Sequence, residues 1–211
     1  MDTKSLKAIL SKSKRIPNPG AAESWGFTLV ELMVALAIAS ILLAAVVGLF
    51  TTFSSAYTKQ NVAADVQQVV RAGVDFMAQS IRMAGLDPSQ TGKFGITAAS
   101  ASSITFSADL DLSGGNPGPT ETITYSLNGD ELVSNLDAIP LVENLDIANG
   151  PGLKFTYLDE DGNDLGNPVV AALLDDIRTV VISITVREPA GKNQTVARTF
   201  TTEVKCRNLG I

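Results

Sequence analysis

Histidine is absent from this 211-residue chain. That removes Ser-His and Cys-His catalytic pairs and every imidazole-ligated metal site. Cysteine occurs once, at Cys206, so neither an intramolecular disulfide nor a thiolate metal cluster can form. Cys206 therefore reads as a tolerated small residue. Positive charge is scarce: Lys and Arg number 16 against 22 Asp and Glu. Lys4, Lys7, Lys12, Lys14 and Arg15 all lie before Gly26, opposed there only by Asp2 and Glu23, so the remainder is more acidic than the net charge of −6 implies. An acidic body suits phosphate backbones poorly, and no nucleic-acid partner is expected. No S-x-x-K arrangement supports a Ser-Lys hydrolase, and Asp175-Asp176 reads as a solvated loop or strand start. The expectation is a non-enzyme with no catalytic residues and no cofactor.

Proline is missing between Pro19 and Pro88, so nothing in that interval forces a helix to break. Within it, Phe27 to Phe50 is an apolar run with one charge, Glu31, near its start. As a helix the run covers about 36 Å, enough for a hydrocarbon core of about 30 Å. The basic cluster ahead of it holds the N-terminus on the cytoplasmic side. The run is too long for a signal-peptide apolar region, and no small-x-small cleavage site follows it. A carboxylate inside such a segment is costly unless it serves a purpose, which makes Glu31 a candidate functional residue.

From Thr51 to Ala84 the helical pattern continues and becomes amphipathic. Val62, Val66, Val69, Val70, Val74, Met77, Ile81 and Ala84 recur at three- and four-residue steps, with charged and amide side chains over most of the other face. Gly85 suits a left-handed cap, with Pro88 just beyond. One helix from Phe27 to Ala84, about 87 Å long, is the simplest expectation.

After Gly85 the period changes to two. Ile104, Phe106, Ala108 and Leu110 alternate with polar residues; so do Ile123, Tyr125 and Leu127, followed by the turn signal Asn128-Gly129 and then Glu131 to Val133. Leu153, Phe155 and Tyr157 run into Asp159-Glu160-Asp161-Gly162-Asn163. Val180, Ile182, Ile184 and Val186 form the clearest strand, and Thr195 to Lys205 returns beside it. Short turns between strands predict an antiparallel sheet, covered by the amphipathic half of the helix. Ala98 to Ser103 is small and low in complexity, and Ser113 to Pro119 reads as a flexible loop. The fold class is α+β. Asp159, Asp161, Asn163 and Asp164 carry the oxygens of a calcium loop, but lack the twelve-residue spacing and closing Glu of an EF-hand. A polar turn is the expectation there, with calcium as the weaker alternative.

At Gly26-Phe27-Thr28-Leu29-Val30-Glu31 the sequence resembles the type IV prepilins: a basic leader ending in glycine, then an apolar helix whose fifth residue is glutamate. The residues before the cut, Glu23-Ser24-Trp25, depart from the basic residues more usual there. The resemblance implies a pilin-like fold, cleavage between Gly26 and Phe27 by a prepilin peptidase, and N-methylation of Phe27. It divides the chain into a cytoplasmic leader (1–26), a transmembrane and filament-core helix (27–50), an amphipathic continuation (51–85) and a periplasmic β-rich body (86–211). The implied location is the inner membrane, single-pass, and then a filament at the cell surface. The implied partners are the peptidase, other minor and major pilins, the inner membrane and the pilus assembly platform. The ammonium created on a neighbour's Phe27 is the partner expected for Glu31, and their pairing would set the register of an incoming subunit.

Arg71 to Met77, Ile81 to Pro88 and the closing Arg207-Asn208-Leu209-Gly210 resemble the PilW-type minor pilins. J-type minor pseudopilins of type II secretion or DNA uptake are the related alternative. A signal-anchored periplasmic ligand-binding domain is the alternative of another class.

Overall fold

A computed structural model describes residues 26–137, 139–191 and 194–209. The leader, with Glu23, Ser24 and Trp25, and the final Gly210 lie outside the described residues. The chain divides into two compact units, one ending at Phe50 and the other beginning at Thr51. Helix α1 spans Leu29–Arg82 and contributes to both. In the first unit its apolar side chains are exposed.

In the second unit Val66, Val70, Val74, Met77 and Ile81 of α1 are buried, and they join one core with the strands. Val69 departs from the expected stripe and is about half exposed. At about 100° per residue, Val69 falls just outside the arc that the buried residues of α1 span, at its edge. The last turn tightens through Met83 N–H to Ser80 O and Ala84 N–H to Ile81 O, a common way to satisfy end carbonyls. Gly85 then takes φ +76°, the left-handed cap that glycine adopts without strain. Its N–H donates to Ser107 O, and Asn208 Nδ2 donates to Arg82 O at 3.3 Å. A Cβ on Gly85 would meet Leu209 Cδ2 at 2.5 Å, so the C-terminal tail closes this helix end.

The body is α+β, with its strands divided between two antiparallel sheets. The first has the order β1 (Ile96–Ala99), β2 (Ser103–Ser107), β3 (Thr122–Asn128), β4 (Glu131–Ser134). The second has the order β5 (Leu153–Leu158), β6 (Thr179–Pro189), β7 (Thr195–Lys205). Ile104 pairs with Tyr125, Phe155 with Ile182, and Ile184 with Phe200. The alternating inward residues of β2, β3, β5 and β6 are buried, which is what a half-buried antiparallel sheet requires.

Three details differ from the sequence expectation. The turn between β3 and β4 is Gly129-Asp130, because Asn128 still pairs with Glu131. Gly129 has φ +63° while Asp130 is not left-handed, the pattern with glycine at the first turn position. Strand β2 ends at Ser107, so Asp109 is buried and Leu110 is partly exposed. The small residues at 98–103 include the end of β1 and a turn against which β5 docks. Phe155 N–H donates to Ala101 O, and Tyr157 O–H donates to Ser100 O and Ser103 O at 2.8 and 3.1 Å. A short 3-10 helix, Ala171–Asp176, ends in the exposed pair Asp175-Asp176.

Candidate functional site at the helix N-terminus

The site is built from Gly26 to Glu31, where α1 begins. Thr28 is the N-cap. Its Oγ1 accepts from Glu31 N–H at 3.2 Å, and its own N–H donates to Glu31 Oε2 at 2.8 Å. This is a capping box: two helix-end donors are satisfied reciprocally by the T-x-x-E pair. The Thr28 hydroxyl also donates to Glu31 Oε2, at 2.9 Å. The first helical bond, Leu32 N–H to Thr28 O, follows at 3.2 Å. Glu31 therefore has a partner in its own chain, which the reading of it as a lone charge leaves out. The T-x-x-E spacing is the signal that finds it. All three contacts use N–H or Oε2, so Oε1 is left without a hydrogen bond among the described residues.

Gly26 is not held small by its neighbours: an added Cβ there would meet nothing within 4 Å among the described residues. Phe27, the next residue, is 89% exposed.

Behind the site, α1 carries an 18-residue window of mean hydropathy 2.8 with none of its residues buried. Among the described residues it is the helix long and apolar enough to cross a membrane. Leu36, Ile41, Leu42, Leu43 and Leu49 are all mostly exposed. Burying each such side chain is worth about 1.5–3 kcal/mol, so this surface calls for lipid or neighbouring helices.

The weaker candidate, Asp159 to Asp164, forms a turn. Asp159 Oδ1 accepts from the N–H groups of Asp161 and Asn163, and its Oδ2 accepts from Asn163 Nδ2. These bonds, led by the Asn163 side chain, hold its carboxyl below the usual aspartate range. Asp164 Oδ1 turns away to accept from Gly166 N–H, and Gly162 takes φ +83°. The oxygens stabilise the turn itself.

Asp109, Asp111 and Glu121 place their carboxylates within 4.8 Å of one another, a grouping that the loop reading of residues 113–119 misses. Asp109 accepts from the N–H groups of Ser113 and Gly114, and Glu121 from those of Leu110 and Gly118. The two buried carboxylates brace the loop between β2 and β3.

Residues 26–47 match the prokaryotic N-terminal methylation motif. The chain thus carries a prepilin-type N-terminus, and its long apolar helix and antiparallel sheets are consistent with a pilin-like fold. No curated protein and no solved structure matches it.

Proposed function

We propose that this protein is a minor pilin of PilW type: it is processed by prepilin peptidase between Gly26 and Phe27, methylated on Phe27, and then incorporated into a type IV pilus or used to prime its assembly. The observation that carries the reading is the methylation motif at 26–47 heading an exposed apolar helix. The helix first resides in the inner membrane, with the body in the periplasm, and then exchanges lipid for neighbouring helices. Its partners are the peptidase, other minor and major pilins, and the assembly platform. The protein is a substrate of that chemistry and performs no catalysis of its own.

Glu31 has two successive roles in this account. In the uncleaved chain it closes the capping box with Thr28. After cleavage its free Oε1 accepts from the Phe27 ammonium of a neighbouring subunit, and the pairing sets axial register. Glu31→Ala should leave cleavage largely intact but lower incorporation into filaments. Thr28→Val, which removes the cap but keeps the carboxylate, should incorporate better than Glu31→Ala. Equal incorporation of wild type and Glu31→Ala removes the register role.

The sequence-level likeness to the J-type pseudopilins supports a second reading, a pseudopilus subunit of type II secretion or DNA uptake. Affinity purification of the assembled protein separates the two. Pilins in the complex support the first reading, and secretion components support the second.

A further inference from the structure

The amphipathic half of α1 leaves part of its apolar surface uncovered. Val69 and Phe76 are 52% and 47% exposed, although Val66, Val70, Gly73 and Met77 beside them are buried. The two exposed residues stand seven residues apart. On a 3.6-residue helix such a pair drifts only about 20° per heptad, so it forms one stripe along the flank of the core-facing side. A stripe of this period is what a second helix crossing at about 20° packs against.

A furrow runs between this stripe and the chain near Pro140 and Leu141. Phe76, Ile139 and Leu141 line one part of it, and Val66, Val69 and Leu141 the other. Ile139 is 75% exposed at its rim. The charge along the furrow has one sign. Asp137, Glu143 and Glu188 line it, with no Lys or Arg among the lining residues. Glu188 is already engaged by Asn144 Nδ2 at 2.7 Å, and Asp137 and Glu143 are exposed. A carboxylate rim over an apolar floor favours a partner whose apolar row is flanked by cations, and disfavours an acidic chain such as a second copy.

We infer that this furrow receives an amphipathic helix from a different subunit of the same assembly, with apolar residues at three- and four-residue steps flanked by Lys or Arg. The inference rests on the prepilin-type reading, which supplies an assembly of helix-bearing subunits. The apolar run before Phe50 admits the subunit to a helix bundle, and the furrow selects which neighbour lies beside it.

The test uses the full chain in its own cells, with the photo-crosslinking residue p-benzoylphenylalanine replacing Ile139 or Phe76. Mass spectrometry then maps the captured peptide. The expected capture is a helical segment of another protein with the stated apolar spacing and flanking cations. The double variant Asp137→Lys/Glu143→Lys should lower its yield about fivefold, the scale of reversing two exposed charges, with no change in protein level. Capture of a second copy of this chain, of a non-helical peptide or of lipid alone overturns the inference. So does an absence of capture, or a yield indifferent to the charge reversal. The N-terminus is measured in the same preparations. A chain cut before Phe27 that captures nothing overturns the furrow and leaves the prepilin reading standing; an uncut chain overturns both.

Discussion

Replacing Gly73 with Ala should destabilise the body, the reverse of what the same change does on a free helix. In an exposed helix interior Gly→Ala stabilises by about 1 kcal/mol, through lost backbone entropy in the unfolded chain. At Gly73 the new Cβ would lie 2.6 Å from Val142 Cγ2 and 3.3 Å from the Leu141 carbonyl oxygen. Val142 is buried, at 1% exposure, and its β-branched side chain has few rotamers to retreat into. Its backbone is also tied, since Leu132 N–H donates to Val142 O and Leu141 N–H to Leu132 O, both at 2.8 Å. Overpacking of this kind costs about 1–3 kcal/mol. Set against the helix gain, the net loss is about 0–2 kcal/mol. With a urea dependence of about 2 kcal/mol/M, a 1 kcal/mol loss lowers the midpoint by about 0.5 M. The assay is urea unfolding of the full chain in detergent, followed by the near-UV signal of buried Tyr125 and Tyr157. Gly48→Ala is the control, because a Cβ there meets nothing within 4 Å. A raised midpoint for Gly73→Ala would refute the close approach of α1 to Leu141 and Val142.

Other perturbations follow from the same geometry. Tyr157→Phe removes the donor to Ser100 O, while Ser103 O keeps the Ser100 N–H and hydroxyl as donors, and should cost about 0.5–1.5 kcal/mol in the same assay; an unchanged midpoint would contradict that link between the sheets. Burial raises the Tyr157 hydroxyl above its ordinary value of 10.0, so its contribution holds below about pH 10 and is lost as pH rises further, which alkaline unfolding measures. Burial also pushes the Cys206 thiol up to about 11. At pH 8 only about one molecule in 1,000 carries the thiolate, so alkylation should be slow in the folded chain and fast in urea; rapid native labelling would refute its burial. Asn149, and then Arg187 at 2.9 Å, hold the Asp146 carboxyl below its ordinary value of 3.8. Stability from this pair is present above about pH 4 and lost as pH falls below it, so Asp146→Asn should flatten the acid limb of a midpoint-versus-pH curve.

Much of this architecture is legible in the sequence because its signals are local. The 3.6-residue spacing of Val66, Val70, Val74, Met77 and Ile81 identifies the buried helix face. The alternation at Val180 to Val186 identifies β6, and Gly85 with Pro88 marks the helix end. Val69 misleads because chemistry alone does not tell a core valine from one on a docking flank; the angle around the helix does. Strand β1 is obscured by its small residues, and the carbonyls that follow it find their partners in Phe155 and Tyr157, far along the chain. The split into two sheets is likewise a matter of long-range pairing. At the site, Gly26, Phe27 and Glu31 are legible as a motif. The Thr28 cap is legible as T-x-x-E once Glu31 is counted as a helix N3 residue. The carboxylate brace of Asp109 and Glu121 depends on where β2 ends, which the alternation through Leu110 conceals.

The most direct test of the account is the mass and N-terminal sequence of the protein extracted from membranes of cells with an active prepilin peptidase. The account predicts a chain that begins at Phe27 and carries one added methyl group on its α-amino nitrogen. A chain that retains residues 1–26 under those conditions would contradict it.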